Sequence, residues 1–253
     1  MRPRKLYLAA LQTFPCLRQI NGIEIYRPYI DELQAHLPPS SVQVELAHAD
    51  IFSFDFNALQ AQWKDAAEIL ILGNPPWVTN SAQGRMEQSN LPPKVNFKGL
   101  RGIDALTGKG NFDIAEAITL NMLDLMAGRQ GTLALLLKNC VIEKIVQSLT
   151  TRPSGLTSIA QYEIDALAEF GAATAASLLV MRFAPGQPPL MPSAEVQCTR
   201  YDFYTRKALA SYGYCQGHFV SDVNAYVKFA FLDGSCPYEW RSGSSMIALR
   251  SWS

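Results

Sequence analysis

The sequence predicts an α/β protein built on an open, mostly parallel β-sheet. Runs such as EILILGN and GTLALLLKN are continuously apolar, as strands covered on both faces are. Such runs recur at intervals of about 25 residues, and helical patterns separate them, as the crossovers between parallel strands require. Apolar residues make up 48% of the 253 residues and charged residues 17%, which is ordinary for a globular protein. The chain is too polar for membrane spans, each of which needs about 20 apolar residues.

The first half of the chain alternates between helix and strand. An amphipathic helix is predicted first and ends at Pro15; its apolar or small residues at helical spacing are Leu6, Ala9, Ala10, Thr13 and Phe14. This segment has the basic head and apolar run of a secretory signal, but no small-residue cleavage site follows it. The next strands and helices are, in order, INGIEI, YRPYIDELQAHL, SVQVELAHAD, NALQAQWKDAA and EILILGN.

The second half continues this alternation. The helix DIAEAITLNMLDLMAG, with Gly128 near its C-terminal end, precedes the strand GTLALLLKN. The runs AQYEID and ATAASLLVMRF are joined by ALAEFGA, a spacing that suits a terminal pair with one antiparallel strand. A proline-rich connector, APGQPPLMPS, follows, and the remaining residues are aromatic and rich in turns. We therefore predict a sheet domain over residues 1–183, a linker over 184–197 and a second segment over 198–253.

Cysteine usage favours a reducing, cytoplasmic setting. The five cysteines are odd in number, widely spaced and never form Cys-x-x-Cys, which argues against a disulfide framework; they are Cys16, Cys140, Cys198, Cys215 and Cys236. Cys215 and His218, with Cys198 and Cys236, permit a zinc interpretation, but structural zinc sites usually present paired short spacings. The sequence therefore predicts no metal site.

Three polar residues stand where predicted strands end, at the edge of an open α/β sheet where ligands bind. Glu24 ends the run GIE, Asp50 ends VELAHAD, and Asn74 ends ILILGN. A carboxylate at such a position accepts hydrogen bonds from both hydroxyls of a ribose, so one interpretation of the two acids is a nucleoside site. Capping of the next helix is the alternative for each acid taken alone.

The run LGNPPW predicts a rigid corner after the third strand. Pro75 and Pro76 fix their own φ angles and force extended geometry on the residue before them. Neither proline donates an N–H, so the carbonyl groups and the Asn74 side chain offer acceptors to a ligand. Two converging acceptors suit an aromatic amine, because hydrogen bonds from both its N–H groups favour a pyramidal nitrogen with an exposed lone pair. Trp77 adds a flat face on which a base can stack, worth about 1–3 kcal/mol; the alternative is a Pro-Pro turn with a core tryptophan.

The tetrapeptide NPPW, with GIEI and HADIFSF upstream, resembles the N6-adenine-specific DNA methyltransferases of restriction-modification type. ALTGKGNFDIAEAITLNML, GTLALLLKN and YEIDALAEFGAATAASLLVMRF follow in that family's order, so the resemblance covers roughly residues 15–243. It implies a Rossmann-like fold and a site-specific, adenine-specific DNA methyltransferase that uses S-adenosylmethionine. The resemblance also implies the roles of the site residues: the flipped adenine is held by Asn74, Pro75, Pro76 and Trp77, and the cofactor by Glu24 at its ribose, by Asp50 and Ile51 at its adenine, and by Asn74.

The nature of the substrate depends on more than the tetrapeptide, which also occurs in enzymes that methylate guanine in RNA or glutamine in proteins. The formal net charge of the chain is zero, so DNA binding requires a local basic patch. A basic loop follows the corner and contains only Glu87 and Asp104 as acids; its cations, our candidate DNA-binding residues, are Arg85, Lys94, Lys98, Arg101 and Lys109. A solvated surface loop is the alternative, because TGKGN lacks the spacing of a phosphate-binding loop.

Two parts of the family pattern are expected to be missing. The glycine-rich loop that holds the methionine end of the cofactor should lie about 20 residues before Glu24, where the chain reads only MRPR. At the other end, YEWRSG resembles the family, whereas SSMIALRSWS departs from it. We therefore expect either an enzyme completed by an upstream-encoded companion segment or a truncated, non-catalytic remnant. A nicotinamide-dependent oxidoreductase would need a G-x-G-x-x-G before the acidic strand end, and the sequence has none.

Overall fold

A computed structural model describes residues 3–64, 66–77, 113–151, 155–186 and 195–234. The helices in these residues are α1 (Pro3–Thr13), α2 (Arg27–Ala35), α3 (Phe56–Gln62), α4 (Ile114–Met126), α5 (Asn139–Ser148), α6 (Ala166–Phe170) and α7 (Val223–Phe229). The strands are β1 (Gln19–Glu24), β2 (Gln43–His48), β3 (Ile69–Gly73), β4 (Gly131–Lys138), β5 (Leu156–Ile164), β6 (Ala176–Phe183), β7 (Gln197–Asp202), β8 (Ala208–Cys215) and β9 (His218–Val220). As far as β6, the strands and helices α1 to α4 follow the order predicted from the sequence, whereas α5 and α6 were not predicted as helices.

Seven strands form one sheet in the order β3-β4-β6-β5-β7-β8-β9. β3 is parallel to β4 and β5 is parallel to β7, whereas β6 is antiparallel to both of its neighbours. β6 is therefore the antiparallel strand that the spacing of the terminal pair predicted. β3, β4, β5 and β7 run in the same direction and end at one edge of the sheet, which we call the carboxyl edge.

The residues after the proline-rich connector extend this sheet. β7 pairs with β5, from Ile159 opposite Cys198 to Glu163 opposite Asp202, and β8 and β9 follow as antiparallel strands. No strands were predicted here, because these short runs mix aromatic and polar residues without a clear period. The division at residues 184–197 remains a prediction, although β7 pairs directly with the preceding sheet.

The main core lies between the sheet and helices α4 and α5. Asp113 begins α4 as its N-cap, and its Oδ1 accepts a hydrogen bond from the N–H of Ala115 at 3.0 Å. α4 is apolar around most of its circumference and buried along almost its whole length, as expected for a central helix. α5 is amphipathic and turns one apolar stripe toward the core, formed by Val141, Ile142, Ile145 and Val146.

β1 and β2 form a separate parallel pair, with Glu24 opposite His48. α3 connects this pair to the main core. Gln62, its last residue, accepts a hydrogen bond from Asn21 of β1 at 3.1 Å and donates one to Glu45 of β2 at 3.0 Å. Trp63, which directly follows, packs against the main core. α3 and the residue after it therefore link the β1–β2 pair to the main core.

In the part of the chain that the structure describes, β1 pairs only with β2, and β3 pairs only with β4. Each of these strands consequently has one edge whose backbone groups lack a strand partner there. β3 is apolar, yet its Leu70 side chain is 38% exposed, and every residue of β1 is only half-buried. An open edge of this kind is a place where a further strand can pair.

Candidate functional site

The carboxyl edge brings together residues from several distant parts of the sequence. β3 ends there at Gly73, β4 at Lys138, β5 at Ile164 and β7 at Asp202. β6 runs in the opposite direction and begins there, with Ala176 opposite Lys138. Because the ligands of open α/β sheets bind beyond the carboxyl ends of the strands, this edge is the place to seek a site.

The Asn-Pro-Pro-Trp corner lies directly after β3 on this edge. Asn74 and Pro76 are exposed, Pro75 is buried, and Trp77 is half-buried. The indole Nε1–H of Trp77 donates a hydrogen bond to the main-chain carbonyl of Leu136 in β4, at 3.2 Å. This hydrogen bond fixes the ring against the neighbouring strand, so the corner is held by β4 as well as by its two prolines.

Phe170, at the end of α6, is an aromatic residue of this site that the sequence analysis did not single out. Its ring meets that of Trp77 edge to face, with centroids 6.4 Å apart and planes at 87°. Phe170 is 47% exposed, so part of its ring surface is accessible to a ligand. Its position in the run ALAEFGA, between two predicted strands, is the signal that would have placed it at a sheet edge.

Asp113 and Lys138 form a buried ion pair between the start of α4 and the end of β4. Their side chains are 4% and 16% exposed. The sequence indicates Asp113 as a helix cap, because it precedes a long apolar helix. It does not indicate the partner, because Lys138 is distant in the sequence and reaches Asp113 only through the packing of α4 on β4.

A chain of buried polar side chains crosses the sheet and ends at the carboxyl edge. Tyr212 donates to Gln161 Oε1 at 2.7 Å, Gln161 Nε2 donates to Ser177 Oγ at 3.1 Å, and Ser177 donates to Asn139 Oδ1 at 2.7 Å. Burial raises the pKa of Tyr212 far above its ordinary value, and burial also raises the pKa of the neighbouring Cys198 thiol to about 11. The Tyr212 hydroxyl and the Cys198 thiol therefore stay protonated at neutral pH. The chain of hydrogen bonds that ends at Asn139 holds that side chain in one orientation.

The two candidate cofactor acids lie on the other sheet, at the ends of its adjacent strands. Glu24 Oε1 accepts a hydrogen bond from the N–H of Tyr26 at 2.8 Å, and Asp50 Oδ1 accepts one from Phe52 at 3.0 Å. The remaining oxygen of each carboxylate has no hydrogen-bond partner among the described residues. Ile51, which follows Asp50, packs against the main core. Glu24 is thus the last residue of β1 and Asp50 lies two residues after β2, while Asn74 directly follows β3 of the larger sheet.

The candidate DNA-binding residues lie outside the described residues; they are Arg85, Lys94, Lys98, Arg101 and Lys109.

A pocket of about 350 Å³ opens at the carboxyl edge, between residues 164–167 at the start of α6 and residues 172–175 before β6. Where the structure describes the chain, no three potential metal-ligating side chains come together, and no helix has the length and apolar character to cross a membrane.

Fold and site define an α/β protein with a stiff, acceptor-rich corner and two aromatic rings at the carboxyl edge of its sheet. No protein-family model matches the chain. The chain is similar to the Type II methyltransferase M.NspV of Nostoc sp. (strain ATCC 29411 / PCC 7524), with 31% identity over 237 residues. The aligned region is 93% of this chain but 48% of that protein, so the chain spans about half the length of the curated relative it matches.

Proposed function

We propose that this chain contains the catalytic region of a site-specific DNA methyltransferase of restriction-modification type. In this proposal a methyl group passes from S-adenosylmethionine to the N6 amine of an adenine. The observation that carries the proposal is the Asn74–Trp77 corner at the carboxyl edge, with its rigid backbone and fixed indole ring. The similarity to a Type II methyltransferase over 93% of the chain supports the class of enzyme. A cytoplasmic location belongs to the proposal, because DNA is the substrate.

The corner supports an amine as the methyl acceptor. The Asn74 side-chain oxygen and the carbonyl groups beside the two prolines can accept hydrogen bonds from a ligand. The prolines themselves have no N–H to donate. Accepting from both N–H groups of an exocyclic amine localises the nitrogen lone pair for attack on the methyl carbon. A base removed from its duplex stack would then contact the rings of Trp77 and Phe170, which lie together at this point.

The acids on the smaller sheet fit the nucleoside end of S-adenosylmethionine. Glu24 and Asp50 each use one carboxylate oxygen for a local N–H group, which leaves the other oxygen available to a ligand. Glu24 would accept hydrogen bonds from the ribose hydroxyl groups. Asp50 and Ile51 would contact the adenine of the cofactor, and Asn74 would lie on the side of its methyl group. When bound, the cofactor supplies an electrophilic methyl group on a sulfonium. We assign no described residue to its methionine end.

We also propose that a companion segment, encoded upstream, completes the sheet and the cofactor site. The unpaired backbone edges of β1 and β3 favour this. β1 carries the proposed ribose acid and β3 the catalytic corner, yet each has a backbone edge without a strand partner among the described residues. A parallel strand between them would pair both edges and cover Leu70. A glycine-rich turn after that strand would supply the missing contacts to the methionine end of the cofactor.

Substitutions in the corner test the chemistry in the longest natural polypeptide that contains this chain. Asn74→Ala should abolish transfer of tritiated methyl groups to DNA, because it removes the side-chain acceptor while leaving the fold intact. Trp77→Phe should retain activity, because a stacking face survives the loss of the hydrogen bond to Leu136. Full activity of Asn74→Ala would remove the proposed role. Methylation of RNA or of a glutamine amide in place of DNA would retain the corner chemistry and reject the DNA substrate.

A further inference from the structure

The turn between β7 and β8 carries two neighbouring cations at the carboxyl edge. Arg206 and Lys207 are both exposed, and neither forms an ion pair with another described residue. Arg206 has φ of 60°, a left-handed conformation that is costly for a residue with a Cβ. It lies with its guanidinium 4.6 Å from the ring centroid of Phe203 and 5.4 Å from that of Tyr162. The head group of Arg206 is thus held in place by two aromatic side chains.

Asp202 fixes the shape of this turn. Its Oδ1 accepts hydrogen bonds from the N–H of Tyr204 at 3.1 Å and from the N–H and hydroxyl of Thr205 at 2.6 and 2.8 Å. Main-chain hydrogen bonds close the turn, from Arg206 N–H to the carbonyl of Asp202 and from Asp202 N–H to that of Lys207, both at 2.9 Å. Strained backbone persists only where surrounding contacts determine it, so the position of the cations is a built feature of the turn.

The turn is linked to the catalytic corner along the same edge. The Tyr204 hydroxyl donates to Glu169 of α6 at 2.9 Å, and the next residue of α6, Phe170, contacts Trp77. In the sheet order, β7 lies four strands from β3. At about 4.8 Å per strand this is roughly 19 Å, which equals between five and six base pairs of a duplex lying along the edge.

The acidic side chains around the turn are already engaged. Glu163 pairs with Arg200 at 3.4 Å, Glu169 accepts from Tyr204, and Asp165 caps α6 by accepting from Ala168. Asp202 is used within the turn itself. Arg206 and Lys207 are therefore the two exposed cations of this turn without an ion-pair partner among the described residues, and an exposed cation pair suits the phosphates of nucleic acid.

We propose that Arg206 and Lys207 bind backbone phosphates of the DNA about six base pairs from the target adenine. This inference rests on the proposed function, since it takes the bound duplex to follow the carboxyl edge from the corner toward β7. The contact positions the duplex without reading its sequence, because phosphates are the same at every base pair. It also differs from the basic loop of residues 80–110, which the sequence analysis favoured for DNA binding.

The size of the effect follows from counterion release. With each phosphate contact, log affinity falls by about 0.9 for every tenfold rise in salt concentration. One contact therefore raises the affinity about eightfold when the salt is lowered from about 1 M to about 0.1 M. Loss of two contacts should therefore reduce the slope by about 1.8 and the affinity at about 0.1 M salt by about 60-fold. The loss should be the same for duplexes of any sequence.

Fluorescence anisotropy with labelled duplexes tests the inference. The variant is R206G/K207A, made in the longest natural polypeptide that contains this chain, which is also the parent protein; glycine keeps the left-handed backbone of the turn without strain. The matched control is R182A/K144A, which removes the same charge from exposed positions elsewhere; Arg182 is opposite Thr132, toward the other end of β4. Each protein is titrated with a duplex of about 26 base pairs and with one of about 8, both with a central adenine target.

The expected result is a lower slope and weaker binding of R206G/K207A to the long duplex only, with the control equal to the parent chain. Equal slopes for R206G/K207A and the control on the long duplex would overturn the inference and leave the proposed function in place. A parent chain without salt-dependent DNA binding would overturn the inference together with DNA as the substrate. A loss of equal size on both duplexes would reject the stated distance from the target, and with it the duplex path along the edge.

Discussion

Replacing Asp113 by Asn tests how strongly a buried charge pair holds the carboxyl edge together. Asn keeps the side-chain oxygen that caps α4 through the N–H of Ala115, but it removes the charge that faces Lys138. Lys138 is 16% exposed, so its ammonium group would remain largely buried without a counter-charge. Removal of one partner of such a pair costs about 3–5 kcal/mol, a large share of an ordinary total of about 5–15 kcal/mol.

A double-mutant cycle separates the ion pair from the helix cap. Asp113→Ala should cost about 1 kcal/mol more than Asp113→Asn, because it also removes the cap. Asp113→Asn combined with Lys138→Met should recover most of the loss, since replacing both buried charges is often close to neutral. The exposed pair between Arg27 and Asp31 on α2 is the control, and Asp31→Asn should cost less than about 0.5 kcal/mol.

Urea unfolding followed by circular dichroism gives the free energies of unfolding, with unchanged m values as the check for a common two-state transition. Two results would contradict a stabilising ion pair: a free energy of unfolding for Asp113→Asn within about 1 kcal/mol of the parent chain, or no recovery of stability when Lys138→Met is added. The first result would mean that water or another group compensates the ammonium. The second would mean that the loss comes from packing around α4.

Three further predictions concern the cofactor, the basic loop and the acid behaviour of the β7–β8 turn. Residues 1–253 alone should bind S-adenosylmethionine weakly or not at all by isothermal calorimetry, and addition of the proposed companion segment should restore binding; micromolar affinity of the chain alone would reject the companion. Replacing Lys94, Lys98 and Arg101 together by Ala should weaken binding to all DNA sequences alike, and an unchanged salt slope would assign these residues to plain surface. Hydrogen bonds to its carboxylate, first from the N–H of Thr205, lower the pKa of Asp202 below its ordinary value. The turn should therefore keep its full stability above about pH 4 and lose it as the pH falls through the lowered pKa. Titration of the Thr205 amide shift at an ordinary carboxyl pKa would contradict this.

Several features of the site could be predicted from the sequence because they are local. Two consecutive prolines restrict the backbone wherever they occur, so LGNPPW specifies a stiff corner after an apolar strand without help from the rest of the chain. The positions of Glu24 and Asp50 at strand ends follow from the apolar runs that precede them. Their roles toward the cofactor stay predictions, as do those of Asn74 to Trp77 toward the adenine.

The sequence by itself determined the strands as far as β6, including the one antiparallel strand among them, helices α1 to α4 and the corner, because periodicity and proline geometry act within a few residues. Only the tertiary structure decided which distant residues meet there. Phe170 reaches Trp77, and Lys138 reaches Asp113, because strands far apart in sequence end at the same edge. The addition of β7 beside β5, which brings the Arg206 turn to that edge, depends on pairing between backbones. Backbone groups are the same in every residue, so such long-range pairing leaves little trace in the local pattern of side chains.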